Sequence, residues 1–345
     1  MTKSNPGHFF EDFHVGMVLR HATPLTITTG DISLYRALTG TRHALYSAAT
    51  FAHANGYEGL PVDPLLAFHV VFGKTVPDIS LNAVANLGYA DGRFPLPVYP
   101  GDTLNAVSDV IGVKENSSGK TGVVYVRTRG FNQRKEEVLS YVRWVMVNKR
   151  DPDAPSPSPI VPELPDVIDP QSFAYQRSYA DWDTILAGSD NKFDDYQIGE
   201  KINHVDGMTV EEAEHQIATR LYQNTAKVHF DAHAQKDSRF GKRLIYGGVV
   251  ISIARALSFN GLGNACEILG INGGTHAGPL FAGDTIYAWS EVLDKAVLND
   301  TVGALRMRLV AVKDQDPGAF PLRGADGKYQ PGVCLDFDYW VAIPR

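Results

Sequence analysis

PVYPGDT at residues 97–103 returns as PLFAGDT at 279–285, and FEDFHVG at 10–16 returns as FDDYQIG at 193–199. Two pairs of matching stretches at nearly one separation make an internal repeat, which has to be recognised before any single motif is read. Each Gly-Asp-Thr is followed by three runs of β type: 103–113, 122–132 and 138–147 in the first copy, 285–293, 304–312 and 333–343 in the second. Within one of them Leu305, Met307 and Leu309 fall on one side and Arg306 and Arg308 on the other. That alternation is the pattern of a half-buried antiparallel strand.

Ahead of these runs each copy holds one mostly apolar helical stretch, at 64–75 and 248–259. A helix apolar on all sides is a buried helix rather than a surface amphipath. One such helix wrapped by a strongly curved antiparallel sheet, made twice, gives an α+β chain with a double hot-dog layout. Between the copies, 151–170 reads DPDAPSPSPIVPELPDVIDP. So much proline denies both helical hydrogen bonds and a central strand, which leaves an extended, semi-rigid connection. A ligand for a proline-binding module is the competing explanation, but a link between duplicated halves suffices. The expected division is therefore an N-terminal repeat over 1–150, a linker over 151–180 and a C-terminal repeat over 181–345.

The 345 residues are enough for two such cores. With 44% hydrophobic and 21% charged residues and a net charge of −7, the chain has the balance of a folded, soluble protein and no global excess of positive charge for nucleic acid. No run approaches the ~18 apolar residues of a membrane span, and the N-terminal stretch lacks the apolar core of a signal peptide. A cytoplasmic location is expected. Cys266 and Cys334 are far apart and without metal-ligand spacing, so both are expected to be buried and reduced.

The second copy contains, in order, Asn224-Thr-Ala-Lys-Val-His229, Tyr246-Gly-Gly-Val-Val-Ile-Ser252 and Pro279-Leu-Phe-Ala-Gly-Asp284. This series resembles the MaoC, or (R)-specific enoyl-CoA hydratase, family, whose pattern is D-x-N-P-x-H, then h-G-M-x-x-x-S, then P-V-x-x-G-D. On that resemblance the hydratase histidine falls on His229, the helix-start glycine on Gly247, the serine on Ser252 and the terminal pair on Gly283 and Asp284. The aspartate position falls on Asn224, a departure from the pattern. In the first copy Thr41 and Tyr46 stand at the aspartate and histidine positions, so that half has lost both catalytic residue types. Longer stretches, among them the one from His69 to Gly88, Gln223 to Asp231 and Ala256 to Gly261, are similar to one branch of that family, the mesaconyl-CoA hydratases or β-methylmalyl-CoA dehydratases. The likeness runs from Asn5 to Trp340. It implies a hydro-lyase that interconverts mesaconyl-CoA and water with β-methylmalyl-CoA in acetyl-CoA and glyoxylate assimilation, the ethylmalonyl-CoA route. It also implies an acyl-CoA substrate, a homodimer and no membrane partner.

Adding water to an enoyl thioester requires a base for water, an acid for the α-carbon and donors for the enolate oxygen. His229 suits the first two tasks because imidazole titrates near neutrality, although a histidine is more commonly a hydrogen-bonded core group. Asn224 cannot exchange protons, but its amide can orient water or the ring. A carboxylate to replace the family aspartate is sought in Asp63, which the alignment of the copies sets against Gly247. The bland alternative is strong there, because Asp63-Pro64 is also an N-cap followed by a first-turn proline. Gly247 and Gly248 offer backbone N–H groups at a helix N-terminus, or only permit close packing. Ser252 either supports the polar site or bonds back to a carbonyl. The free carboxylate of a dicarboxylyl-CoA calls for a cation, with Arg42, His43 and Arg220 as the candidates. No nucleotide loop, metal cluster or serine-nucleophile motif appears, so no dissociable cofactor and no metal are expected. A hot-dog thioesterase and a non-catalytic acyl-CoA binding protein are the competing functions.

Overall fold

The computed structural model describes residues 3–345; Met1 and Thr2, the start of the expected first repeat, lie outside the described residues. Alternating residues produce ten antiparallel strands: β1 (Val18–Thr26), β2 (Ala83–Arg93), β3 (Thr103–Glu115), β4 (Thr121–Phe131), β5 (Glu137–Asn148), β6 (Lys201–Thr209), β7 (Glu267–His276), β8 (Thr285–Val297), β9 (Val302–Lys313) and β10 (Val333–Pro344). They form one sheet in the order β1-β3-β4-β5-β2-β7-β10-β9-β8-β6. Read from its middle outward, the order is the same in both halves, as the duplication requires. The halves meet where β2 pairs with β7, with Tyr89 opposite Gly274 and Arg93 opposite Gly270.

Each half curls round its apolar helix. The first central helix, Pro64–Thr75, is buried over nearly its whole length, and the second, Gly247–Leu257, likewise. The second stops short of the expected 259 because the chain leaves helical geometry at Asn260 and Gly261, the latter with a φ of 104° that glycine adopts without strain. Both central helices and the inner faces of both half-sheets belong to one continuous core. The helices touch at His69 and Ser252, which are 183 residues apart and occupy equivalent positions in the two copies. The same offset relates Val62, whose N–H bonds to the Val98 carbonyl, to Ile245, whose N–H bonds to the Leu280 carbonyl. A twofold pseudo-axis therefore passes between the central helices.

The proline-rich segment crosses the outside of the first half, where Ile160 exchanges two backbone hydrogen bonds with Val113. Further on it stops being a mere connection. Ile168, Tyr179, Trp182 and Ala187 form a second core layer with Trp340 and Ala342 on the outer face of the second half-sheet. Cys266 and Cys334 are buried and unbridged, and burial pushes both thiols up to about 12. Among the described residues no helix is long and apolar enough to cross a membrane.

Candidate active site

In each half a helix that the pattern of apolar residues did not reveal precedes the motif segment: Thr29–Thr39 and Glu212–Leu221. The first carries a sign legible in the sequence, a capping box in which Thr28 and Asp31 bond each other's backbone N–H, with Gly40 in left-handed geometry at its end. In the second half the chain then turns through Asn224, whose Oδ1 accepts the Ala226 N–H, into a single helical turn, Lys227–Phe230. That turn presents His229. Asn224 is buried and thus fixes the loop that carries the imidazole.

His229 Nδ1 lies 3.0 Å from the Leu244 carbonyl oxygen. A carbonyl only accepts, so Nδ1 carries the hydrogen and Nε2 keeps a lone pair. Enclosure of the ring pulls its pKa down to about 4, with the Leu244 bond opposing the shift. At neutral pH the group is a neutral base. The ring centroid is 5.3 Å from that of Tyr246, the residue that caps the second central helix.

At that helix start, Gly247 and Gly248 occupy the first two positions, and the structure records no acceptor for either N–H. Their lack of side chains is a contact requirement. A methyl group at Gly247 would come within 2.3 Å of the His276 ring, and one at Gly248 within 2.4 Å of the Tyr246 ring and 2.7 Å of His69. Two uncommitted N–H groups at the positive end of a helix dipole form a site for developing negative charge. Ser252 lies one to two turns further in, where its hydroxyl accepts from Tyr35 and meets Nε2 of His69 at 2.8 Å. It anchors the two central helices at the pseudo-axis rather than bonding back to its own helix. His69 Nδ1 remains buried without a partner, beside Gly248.

The first half shows the same place closed. Its central helix is capped by Asp63, so the equivalence of Val62 and Ile245 sets Asp63 against Tyr246, one position from the expected Gly247. Pro64 then stands where Gly247 does and has no N–H, while the Leu65 N–H is bonded by Asp63 Oδ1 at 2.9 Å. Tyr46, at the histidine position, is buried with its hydroxyl unpartnered. Neither a base nor free backbone donors face each other there.

The structure does not bring Asp63 to His229. Burial raises its carboxyl from 3.8 to about 6, opposed by the Leu65 N–H and by Arg255, and it acts in turn on Tyr35, Tyr46 and Tyr222. Asp63→Asn should therefore keep turnover close to wild type. Because the folded-state pKa lies above the unfolded one, the carboxyl adds stability at low pH that is lost as pH rises from about 4 to about 6. Asparagine also caps, so the variant should melt higher at pH 8, by on the order of 1 kcal/mol. A tenfold or larger loss of turnover in the folded variant would restore Asp63 to the catalytic list.

The three cations sought for a substrate carboxylate are also elsewhere. His43 is buried and bonds Arg255 at 2.8 Å, and burial followed by the charges of Arg255 and Arg42 holds it well below its usual range. Arg42 is exposed and stacks over Phe259 at 4.5 Å, and Arg220 points outward from its helix. Gly283 and Asp284 form a tight turn, in which Asp284 accepts the Phe281 N–H and pairs with Lys313. What stands near His229 instead is His276, which is pulled down to about 4 by burial and then by His229, and whose Nε2 lies 3.2 Å from the Tyr89 hydroxyl. His276 and Tyr89 belong to β7 and β2, the two strands that join the halves, and no spacing in the chain points to them.

Comparison with known proteins agrees with this geometry. The family model described as mesaconyl-CoA hydratase matches residues 1–164. The beta-methylmalyl-CoA dehydratase of Chloroflexus aurantiacus is 58% identical, with 100% of this chain and 99% of that protein covered. The mesaconyl-CoA hydratase of Cereibacter sphaeroides is 60% identical over 99% of this chain and 100% of its own length. Among solved structures, a putative MaoC domain protein dehydratase from Chloroflexus aurantiacus superposes with a TM-score of 0.98 at 57% identity, covering 100% of this chain and 99% of that one. A double-hotdog protein from Mycobacterium tuberculosis shares the fold at a TM-score of 0.75 and 24% identity, over 98% of both chains. Identity this high over the full length, with one intact and one closed hot-dog half, means that the chain belongs to the mesaconyl-CoA hydratase family.

Proposed function

We propose that this protein is a hydro-lyase that adds water reversibly to mesaconyl-CoA (2-methylfumaryl-CoA) to give β-methylmalyl-CoA, with the C-terminal half carrying the reaction. The observation that carries the reading is the pairing of a neutral, Nδ1-anchored imidazole at His229 with a helix N-terminus left open by two glycines. The thioester carbonyl oxygen receives the N–H groups of Gly247 and Gly248. His229 Nε2 takes a proton from water, and the oxygen adds to the β-carbon. The electron pair of the double bond moves towards the thioester, and the resulting enolate oxygen is held by the same two donors. The proton on His229 passes to the α-carbon, which restores the neutral ring and balances the addition. Asn224 holds the loop of His229 and turns its free amide to the water. CoA is part of the substrate, and the sequence of steps calls on no further cofactor. A thioesterase would need a carboxylate or nucleophile at the thioester carbonyl, whereas the groups packed directly on the His229 ring are the rings of Tyr246 and His215 and the Leu244 carbonyl, and the nearby Glu212 carboxylate is paired with Arg243.

Purified protein should convert mesaconyl-CoA with loss of enoyl absorbance and a mass gain of one water. Crotonyl-CoA, which lacks the second carboxylate, should react far more slowly. Equal rates would remove the dicarboxylate assignment and leave a general enoyl-CoA hydratase, and release of free CoA thiol would instead indicate hydrolysis.

A further inference from the structure

Arg143 on β5 is opposite Tyr89 on β2, so both side chains enter the first half on the same side of the sheet. The guanidinium is 0% exposed, lies 4.2 Å over the ring of Phe72, and donates from Nη2 to Thr75 Oγ1 at 2.7 Å and to Ser80 Oγ at 3.4 Å. Its Nε and Nη1 are buried and have no acceptor. Among the described residues no carboxylate pairs with it. A buried cation without a counter-charge is strongly disfavoured unless something outside the resting structure completes it.

The other half supplies a control. Arg255, on the second central helix at the position equivalent to Phe72, is just as buried, and the protein closes it. Its Nη1 bonds His43 and Ser258, and its Nη2 bonds the carbonyls of Ala265 and Cys266. An arginine needed only to hold the fold is saturated in that way. Arg143 is not, and although it lies in the first half its charge reaches Tyr246, the cap of the second central helix. From Arg143 the neighbouring Tyr89 reaches His276, whose ring covers Gly247. Phe72, beneath the guanidinium, is 5.7 Å from Tyr246, which packs on His229. The positive charge acts on the hydroxyls of Tyr89 and Tyr246, and the Tyr246 hydroxyl is also buried and unpartnered.

We propose that Arg143 is the receptor for the free carboxylate of the substrate, with the Tyr246 hydroxyl as a second donor, and that it sets the preference for dicarboxylic over monocarboxylic enoyl thioesters. The proposal rests on the hydration reading above. In such a substrate the carboxylate is bonded to the carbon that water attacks, so its receptor has to adjoin the base and belong to the same pocket wall. Pairing with the guanidinium also removes the negative charge that would repel an incoming hydroxide, so the effect extends to kcat as well as KM.

The test compares Arg143→Gln and Arg143→Lys with wild type in two ways. In turnover, Arg143→Gln should lose about a hundredfold or more in kcat/KM for mesaconyl-CoA while crotonyl-CoA stays nearly unchanged, and lysine should recover part of the loss. In calorimetric binding, succinyl-CoA should bind wild type more tightly than butyryl-CoA, and either substitution should narrow that gap. Wild type that fails to hydrate mesaconyl-CoA yet separates succinyl-CoA from butyryl-CoA through Arg143 would refute the reaction and keep the carboxylate site. Equal losses for both enoyl substrates, or an unchanged gap between the saturated thioesters in the folded glutamine variant, would overturn the role of Arg143.

Discussion

His229→Ala should lower kcat for mesaconyl-CoA by about two orders of magnitude or more, the scale of removing a positioned acid–base group, whereas Tyr46→Phe should leave it near wild type. The contrast follows from equivalent positions with unlike surroundings. His229 has a lone pair beside open backbone donors, and Tyr46 has a hydroxyl beside a proline and an occupied N–H. Equal losses in two folded variants would sink the assignment of one active half. The pH profile adds a second check. With its pKa pulled down to about 4, the ring is unprotonated across the neutral range. The acid limb of kcat/KM should therefore fall near pH 4 rather than near 6.5. Stability has a related dependence. His229, His276, His69 and His215 all have folded-state values below 6.5, by burial first in each case. The unfolded chain takes up protons more readily, so stability present above pH 6.5 is lost as pH falls towards 4.

The second large effect is expected at Gly247. Gly247→Pro should cost about a hundred- to a thousandfold in kcat, as removal of an oxyanion donor does, and more than Gly247→Ala. The two substitutions place a Cβ in the same position, 2.3 Å from the His276 ring, and so share that contact, while proline also sets its Cδ where the N–H was. They differ in that alanine keeps the N–H. The backbone accepts proline here: Tyr246 has φ −63° and ψ 128°, close to the φ −55° and ψ 126° of Asp63, which already precedes Pro64. Gly247→Pro thus copies the closed half onto the open one. Adding His276→Ala to either variant makes room for the Cβ and should recover melting temperature, but it should not return the proline variant to the turnover of its alanine counterpart. Identical kcat in the proline and alanine variants would mean that the Gly247 N–H does not hold the enolate oxygen.

Some of this was legible before any coordinates. Pro64–Thr75 has its expected bounds, and the runs after each Gly-Asp-Thr are strands β3 to β5 and β8 to β10, with β4 shifted by one residue and the other five extended by one to four. Periodicity reports burial on one face, so it locates strands well and their ends less well. Of the helices before the motif segments, the first is marked by a polar capping box and the second, uncapped by any side chain, buries a short stripe in which His215 and Thr219 replace apolar residues, so neither stands out by apolar periodicity. The outer layer at residues 168–187 was hidden by the prolines around it, since apolar anchors such as Trp182 are spaced by loop geometry and show no period. At the site, His229 packs on Tyr246 at the start of the helix that holds Gly247 and Gly248, Ser252 ties the two central helices, Asn224 anchors a turn, and Asp63, Arg42, His43 and Arg220 take structural or surface positions.

By itself the sequence determined the duplication, the two sheet-wrapped helices and which copy retains a base and open donors. Those properties depend on residue identity at repeated positions: histidine against tyrosine, glycine against proline. Only the tertiary structure decided which side chains complete the site. Tyr89 and His69 come from the first half, and His276 comes from the strand that joins it. Their meeting depends on the pairing of β2 with β7 and on the crossing of the central helices about the pseudo-axis. A contact made across a symmetry axis leaves no spacing along the chain, and so the surroundings of the His229 loop and the Gly247 helix start are written in the packing of the two halves.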